Sequence, residues 1–157
     1  MRMSRIEKDG FDLEDFLPYL LNQAAETSSL EFQRIYKDRY GMLRTEWRVL
    51  FHLGLYGSMT AADIVKSAKI HKTKISRAVL RLGERRFLIR TRDVKDRRVE
   101  HLSLTPRGQA AYVDLRGVAQ RYDATLCAQF DADELEVLRK ALRALAQMPM
   151  ARAVKGP

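Results

Sequence analysis

The spacing of apolar residues changes after Arg86 in this 157-residue chain, and that change limits the possible folds. Up to Arg86 the apolar residues recur at intervals of three and four, which is typical of amphipathic helices. Residues 87–92 and 99–104 instead alternate roughly between apolar and polar, and the intervening residues are mostly charged. The pattern predicts a two-stranded β-hairpin with a charged tip inside an otherwise mainly α chain.

A long first helix is predicted ahead of this hairpin. Its apolar stripe begins near Leu13, where either Asp12 or Asp15 can act as the capping residue. Pro18 fits the first turn if the helix begins at Leu17, and otherwise it marks a kink or a short preceding turn. The sequence leaves these starting points open.

A second, shorter helix is predicted after Gly41, which ends the first one. Thr45 is expected to open this helix, and Gly54 and Gly57 are expected to end it. Its predicted buried face consists of Trp47, Leu50, Phe51 and Leu55.

Two further helical patterns follow at a short interval. Residues 61–68 form about two turns, residues 69–72 connect, and a second pattern places Ile75, Val79 and Leu82 on one face. The opposite face of that second pattern carries Lys72, Lys74, Arg77 and Arg81. A short helix, a tight turn and a helix with a basic exposed face predict a helix-turn-helix, whose second helix fits the DNA major groove.

The positive charge of the chain is concentrated in one segment. Lys and Arg number 29 against 20 Asp and Glu, a net charge of +9 that suits nucleic-acid binding, a membrane surface or solubility alone. Residues 69–98 carry this whole excess, and the two signs balance in the rest of the chain. Such localisation favours an anion-binding surface.

Several classes of protein are excluded by what the sequence lacks. No apolar run reaches the ~18 residues of a membrane span and residues 1–9 are polar, so a cytoplasmic protein is expected. A single cysteine, Cys127, excludes a disulfide framework, and three histidines are too few to predict a metal site. No phosphate-binding glycine loop or nucleophile elbow occurs, so neither an enzyme nor a cofactor is expected.

Two helices are predicted after the hairpin. Thr105 and Pro106 form a strong start signal for a helix that continues to about Ala128. Asp131 to Met148 form the last predicted helix, and residues 152–157 are expected to be a frayed tail. The apolar side of the last helix consists of Leu135, Leu138, Leu142 and Leu145.

The order of elements resembles the MarR family of winged helix-turn-helix transcription regulators, over roughly residues 12–148. The matching motifs are Asp93-x-x-Asp96-Arg97-Arg98, Leu102-x-Leu104-Thr105-Pro106-x-Gly108, Thr45-Glu46-Trp47-Arg48-Val49-Leu50 and Ile75-Ser76-Arg77-x-Val79-x-x-Leu82. The resemblance implies a single MarR-like chain over residues 1–157, with a DNA-binding lobe at 45–104. It assigns residues 12–40 and 106–148 to dimerisation helices and implies a homodimer on a pseudo-palindromic operator. The alternative is that these helices pack only within the monomer.

One position departs from the family pattern. Arg86 stands where the family usually has glycine, and Gly83 stands where a helix former is usual. Since a non-glycine must close the second helix of the motif, that helix is expected to end early. The positions of Arg85 and Arg86 stay open.

The predicted DNA-binding residues lie on the basic helix and at the hairpin tip. Donors for base edges and phosphates are supplied by Lys72, Thr73, Lys74, Ser76, Arg77 and Arg81. The tip contributes Lys95, Asp96, Arg97 and Arg98. The resemblance places Arg97 in the minor groove, with Asp96 holding the turn and pairing with an arginine. The alternatives are a solvated helix face and a merely exposed charged turn.

An effector site follows only from the resemblance, which implies a small aromatic or anionic ligand between the dimerisation helices and the DNA-binding lobe. The residues expected to border it are Phe16, Tyr19, Trp47, Phe51 and His52, although residues of these types on such helices are more often core packing than ligand contacts. The family's peroxide sensors use a cysteine near the N-terminus, where this chain has none, so thiol sensing is not expected.

The sequence therefore predicts a homodimeric, sequence-specific DNA-binding regulator, cytoplasmic and associated with the bacterial nucleoid. A repressor released by a small effector is the favoured form. The competing hypothesis is an architectural or nonspecific nucleic-acid binder that uses the same basic stretch without operator preference.

Overall fold

The computed structural model describes residues 10–149, which fall into two compact units that divide after Val118. The predicted tail at 152–157 lies outside the described residues. The first unit contains α1 (Leu17–Tyr40), α2 (Arg44–Tyr56), β1 (Met59–Thr60), α3 (Ala61–Ala68), α4 (Lys72–Glu84), β2 (Leu88–Arg92), β3 (Glu100–Leu104) and the first half of α5 (Pro106–Cys127). The second unit contains the remainder of α5 and α6 (Ala132–Gln147). The predicted mainly α class with a small β wing is confirmed.

The first helix begins later than its apolar stripe suggested. The Asp12 carboxylate accepts the backbone N–H of Glu14 at 2.9 Å and caps a short 3₁₀ turn over Leu13–Asp15. Helix α1 then starts at Leu17 with Pro18 in its first turn. The predicted start at Leu17 with Pro18 in the first turn is therefore confirmed, a short 3₁₀ turn precedes it, and a helix starting at Leu13 is wrong.

Helix α2 corrects three predictions. Its first N–H group is capped by Glu46, whose Oε2 accepts the backbone N–H of Leu43 at 2.6 Å, so the helix begins at Arg44 and Thr45 does not open it. Gly54 lies inside the helix and does not end it. Glycine is needed there for packing, because a Cβ would come within 2.4 Å of the Tyr112 ring. Leu55, predicted to be buried, is exposed.

The core of the first unit forms where α2, α3 and α4 pack on the sheet. The predicted inward face of α4 is buried as expected, and it is joined by apolar residues from every neighbouring element. Fully buried side chains each contribute about 1.5–3 kcal/mol of transfer free energy. The largest are Tyr36, Met42, Leu50, Ile64, Ile75, Leu82, Phe87, Leu102 and Leu115. This packing fixes the orientation of α4.

The sheet has three antiparallel strands in the order β1-β3-β2. The predicted hairpin is present, with Leu88 opposite Leu104 and Arg92 opposite Glu100. The third strand, Met59–Thr60, was not predicted because two residues are too few to show an alternating pattern.

Helix α4 ends at Glu84 in a left-handed turn centred on Arg86, whose φ is +63°. The N–H of Phe87 donates to the Leu82 carbonyl at 2.9 Å, which is the closing bond of a Schellman-type cap. The Thr105 hydroxyl donates to the carbonyl of Arg86 at 2.6 Å. Arg86 thus adopts the backbone conformation for which the family pattern uses glycine.

The two C-terminal helices agree with their predicted bounds to within one residue. Thr105 accepts the Gly108 N–H at 3.0 Å and opens α5 as expected. Asp131 caps α6 by accepting the N–H of Glu134 at 2.8 Å. None of the described residues of α6 is buried.

Candidate nucleic-acid interface

The first two turns of α4 present an exposed polar surface. His71 caps the helix, because its Nδ1 accepts the Thr73 N–H at 3.2 Å. Ile75 points into the core, whereas the predicted DNA-contacting side chains on either side of it in the sequence are exposed. Those side chains are Lys72, Thr73, Lys74, Ser76 and Arg77. Within residues 10–149 no ion pair occupies either lysine or Arg77, so their charges are available to an external anion.

Helix α3, which precedes the basic helix, is held at both ends. Thr60 and Asp63 form a reciprocal capping box at its start, and the hydrogen bonds from Thr60 lower the pKa of the Asp63 carboxyl. At its end, Arg48 Nη2 donates to the Ala68 carbonyl at 2.9 Å, and burial lowers the pKa of Arg48. These caps fix the turn that leads into α4.

Arg81 differs from the other cations of α4. Its Nε lies 2.7 Å from Oε1 of Glu46, which is 1% exposed and is the buried charged residue of the described chain. Glu46 therefore joins the start of α2 to the third turn of α4. The DNA contact predicted for Arg81 stays a prediction, but its side chain already has a partner inside the protein.

Arg85 also turns towards the protein. Its guanidinium donates to the carbonyl oxygens of Gly41, at 3.0 Å, and Tyr40, the last residue of α1. The same group stacks over the Phe87 ring at 5.3 Å. Of the two positions that the sequence left open, Arg85 caps α1 and Arg86 forms the left-handed turn.

The hairpin tip is held in shape by Asp93. Its Oδ1 accepts the backbone N–H groups of Lys95 at 2.7 Å and Asp96 at 3.3 Å. Its Oδ2 lies 3.0 Å from Nε2 of His101 on β3. The hydrogen bond from His101, followed by those from the two backbone N–H groups, lowers the pKa of the Asp93 carboxyl.

The basic residues of the tip are used in two ways. Arg98 pairs with Asp96, Nε to Oδ1 at 3.1 Å, which is the arginine pairing expected for this aspartate. Lys95 and Arg97 are exposed, and neither side chain has an ion-pair partner in the part of the chain that the structure describes. The tip therefore offers two available cations on a turn fixed by carboxylates.

The five predicted effector residues do not form one group. Trp47 and Phe51 lie 5.1 Å apart in a cluster of aromatic rings. His52 follows on α2, and its Nδ1 lies 2.6 Å from the Arg48 carbonyl, which fits a structural histidine. Phe16 instead contacts the ring of Phe11 at 5.3 Å, and Tyr19 is half-buried near the start of α1. The remaining members of the ring cluster are Phe32, Tyr36 and Tyr112.

Tyr36, a member of this ring cluster, and the nearby Arg44 were not among the predicted effector residues. The Tyr36 hydroxyl is buried and makes no hydrogen bond of normal geometry within the described residues. Burial raises the pKa of Tyr36, and the nearby Arg44 guanidinium opposes that rise. Tyr36 follows Phe32 by one helical turn, so the spacing on α1 was a signal that could have found it.

Within the described residues no helix has the combination of length and hydropathy that crossing a bilayer requires. No group of three potential metal-ligating side chains converges there either.

The fold and this surface define a winged helix-turn-helix protein, with a basic helix whose exposed face is adjacent to a cationic wing. Residues 40–99 match the sequence model of the MarR family. Over these residues the chain is similar to that family of transcriptional regulators.

Known relatives extend this similarity over most of the chain. The homoprotocatechuate degradative operon repressor of Escherichia coli is 27% identical over 130 residues, covering 83% of this chain and 87% of the repressor. BpsR of Bordetella bronchiseptica, studied for the regulation of its DNA binding by 6-hydroxynicotinic acid, has a TM-score of 0.81 at 22% identity. That match covers 90% of this chain and all of BpsR. NadR in complex with 4-hydroxyphenylacetate has a TM-score of 0.70 at 23% identity, covering 94% of this chain and all of NadR.

Proposed function

We propose that this chain is a homodimeric, sequence-specific DNA-binding repressor that a small aromatic acid releases from its operator. The observation that carries the proposal is the exposed start of α4. Lys72, Lys74 and Arg77 project there without ion-pair partners in the described chain, next to the hydroxyls of Thr73 and Ser76. An anionic duplex supplies the partners that the protein itself does not.

Each part of the surface has a distinct role in this proposal. Arg77, in the second turn of α4, reads guanine in the major groove, since the guanidinium fork fits O6 and N7 together. Lys72 and Lys74 neutralise phosphates and fix the register. Arg97 enters the minor groove beside the site, where the negative potential is greatest in a narrow groove. Arg98, through its pair with Asp96, keeps the wing tip in the required shape.

The dimer is supported by apolar surface that each unit leaves exposed. On α1, Leu17 and Leu20 are about half exposed, and on α6 Leu138 and Leu142 are each 42% exposed. Rows of leucine at helical spacing are stabilised when a partner covers them. We assign residues 12–40 and 106–148 to this contact, with 45–104 as the DNA-binding lobe. A twofold axis then implies a pseudo-palindromic operator.

The effector class is suggested by the names of related proteins. Those names mention homoprotocatechuate, 6-hydroxynicotinic acid and 4-hydroxyphenylacetate, and all three are hydroxylated aromatic carboxylic acids. In this chain, the rings of Trp47 and Phe51 lie near the unbonded hydroxyl of Tyr36. A ring, a hydroxyl donor and the Arg44 guanidinium are the groups that such an acid requires.

Selection of bound sequences from a random duplex library tests the DNA-binding part of the proposal. The selected duplex and a scrambled one are then titrated at two salt concentrations. A palindromic sequence bound at least ~10³-fold more tightly than the scrambled duplex is the expected result. Equal affinity for both, with a steep salt dependence, would identify a nonspecific architectural binder instead.

Effector binding has its own test, since Trp47 is the only tryptophan of the chain. Titration with 4-hydroxyphenylacetate should change the fluorescence of Trp47 and release the selected duplex over the same concentration range. Tyr36→Phe keeps the ring but removes the hydroxyl, so it should weaken both effects together. An unchanged fluorescence signal and unchanged DNA binding across a panel of hydroxylated aromatic acids would reject this effector class.

A further inference from the structure

Strand β2 forms an open edge of the sheet. The strand order β1-β3-β2 gives it a partner on one side only. Phe87 O accepts the Thr105 N–H at 3.1 Å, and Asp93 N–H donates to Val99 O at 2.9 Å, so the odd-numbered residues are those bonded to β3. The backbone groups that point away from the sheet belong to Leu88, Arg90 and Arg92. Within residues 10–149 no backbone hydrogen bond satisfies them.

A cleft of about 240 Å³ lies beside this open edge. It runs between the last turns of α4 and strand β2, and Leu80 on its α4 side is 51% exposed. Its lining residues are Leu80, Gly83, Glu84, Leu88 and Arg90. An apolar recess and a row of unsatisfied backbone groups are thus side by side.

Gly83 keeps the cleft open although the helix does not require glycine there. A Cβ at this position would meet only Cδ1 of Leu88, at an ordinary 3.7 Å, and its φ is not left-handed. Glycine inside a helix destabilises it relative to alanine. Neither the backbone nor the packing accounts for this glycine, whereas the space that it leaves is a recess for another side chain.

We propose that this edge and cleft are the docking surface for an acidic, extended segment of a partner protein, which adds to the sheet antiparallel to β2. Strand addition of this kind satisfies the open backbone groups, and alternate side chains of the segment provide specificity. An apolar side chain opposite Leu88 fills the recess beside Gly83. Acidic side chains two and four residues before it face Arg90 and Arg92, and opposite charges across a strand pair are stabilising.

The charges of the surface select this occupant. Arg92 is exposed and has no ion-pair partner among the described residues, and Arg90 shares its charge only with Glu100 at 3.7 Å. Residues 1–9 and 150–157 are both net basic, so neither of these two segments supplies an acidic strand. Glu84 in the cleft repels a carboxylate there, which is why the residue in the recess is apolar.

The probe for this surface is the blocked peptide Thr-Glu-Thr-Glu-Thr-Leu-Thr, titrated into the full chain by isothermal calorimetry and amide NMR. Two isomers with the same charge serve as controls. One is N-methylated at the two glutamates and the leucine, whose N–H groups would face β2. The other is N-methylated at the second, third and fourth threonines, whose N–H groups would point away from β2. Binding should protect the amides of Leu88, Arg90 and Arg92 from hydrogen exchange.

The unmodified and threonine-methylated peptides should bind alike, and methylation at the glutamates and leucine should weaken binding by at least about tenfold. Gly83→Leu fills the recess without changing charge and should cause a similar loss, with the fold checked by circular dichroism. Absence of binding would overturn the proposal. Equal binding of all three peptides would also overturn it, because it would show that the peptides bind by charge attraction without backbone hydrogen bonds to β2. Unchanged binding by a folded Gly83→Leu protein would also overturn it.

Discussion

Arg81 Nε lies 2.7 Å from Glu46 Oε1, and this ion pair connects the predicted DNA-reading helix α4 to the first turn of α2. The partners differ in environment, because the Glu46 side chain is 2% exposed and that of Arg81 is 50% exposed. Glu46 also accepts the Leu43 N–H that begins α2. One carboxylate therefore fixes both the start of α2 and the orientation of α4.

Arg81→Ala should lower the free energy of unfolding by about 2–3 kcal/mol, because it leaves a buried carboxylate without a charge partner. Glu46→Gln should cost less, since its amide is uncharged and its oxygen still accepts from Leu43. Urea unfolding at a fixed protein concentration measures both. Lys74→Ala, which breaks no ion pair in the described chain, is the control and should change stability by less than about 0.5 kcal/mol. A stable Arg81→Ala protein would show that the pair contributes nothing to the fold.

Two glycines inside helices should respond to alanine in opposite directions. At Gly54 a Cβ would lie 2.4 Å from the Tyr112 ring, so Gly54→Ala should destabilise the fold by about 1–3 kcal/mol. At Gly83 the nearest contact would be 3.7 Å, so Gly83→Ala should stabilise it by about 0.5–1 kcal/mol. Thermal unfolding of the two variants side by side gives the answer. The close packing at Gly54 would be contradicted by a stabilising substitution there.

Two arginines should affect DNA binding differently while leaving the fold intact. Arg97→Ala should weaken binding to the selected and the scrambled duplex alike. Because it removes one cation from the DNA surface, it should also reduce the salt slope by about 0.9. Arg77→Ala should reduce discrimination between duplexes by about 1–3 kcal/mol. Fluorescence anisotropy at several salt concentrations distinguishes these outcomes. Arg143→Ala, a cation of α6 outside the predicted interface, is the matched control. Wild-type binding by both folded variants would reject the proposed docking.

The wing tip should depend on acid pH through Asp93. Its pKa in the folded chain is lowered from the usual 3.8, so its contribution is present above that value and is lost as the pH falls through the lowered pKa. The amide signals of Lys95 and Asp96 should therefore stay constant from neutral pH to about pH 4 and shift only below it. Asp93→Asn removes the titrating group and should abolish that shift. A transition of these amides well above pH 4 would contradict control by Asp93.

The periodicity of the sequence was sufficient for the element order. Each of three features depends on residues that are close together in the sequence, so a local pattern specifies it. These features are the inward face of α4, the hairpin and the start of α5. The errors fall where a distant group intervenes. Gly54 resembled a helix end because glycine usually is one, but the ring of Tyr112 on α5 requires the glycine.

The candidate DNA surface could be located from the charge pattern, but the state of each cation could not. Lys72, Arg77, Arg81 and Arg98 look equivalent in the sequence. In the structure, Arg81 pairs with Glu46 and Arg98 with Asp96, whereas the first two have no ion-pair partner within the described residues. Only three-dimensional contacts separate the cations that position the surface from those that remain available to bind.

The sequence by itself determined the succession of helices and strands, the basic stretch and the resemblance to a family, because each depends on residue types and short spacings. Tertiary structure alone decided how the elements are joined. Arg85 caps α1 at Gly41, and Glu46 pairs with Arg81, in both cases across tens of residues of chain. A short-range pattern carries no information about such pairs, since folding brings their atoms together only after the apolar faces have packed.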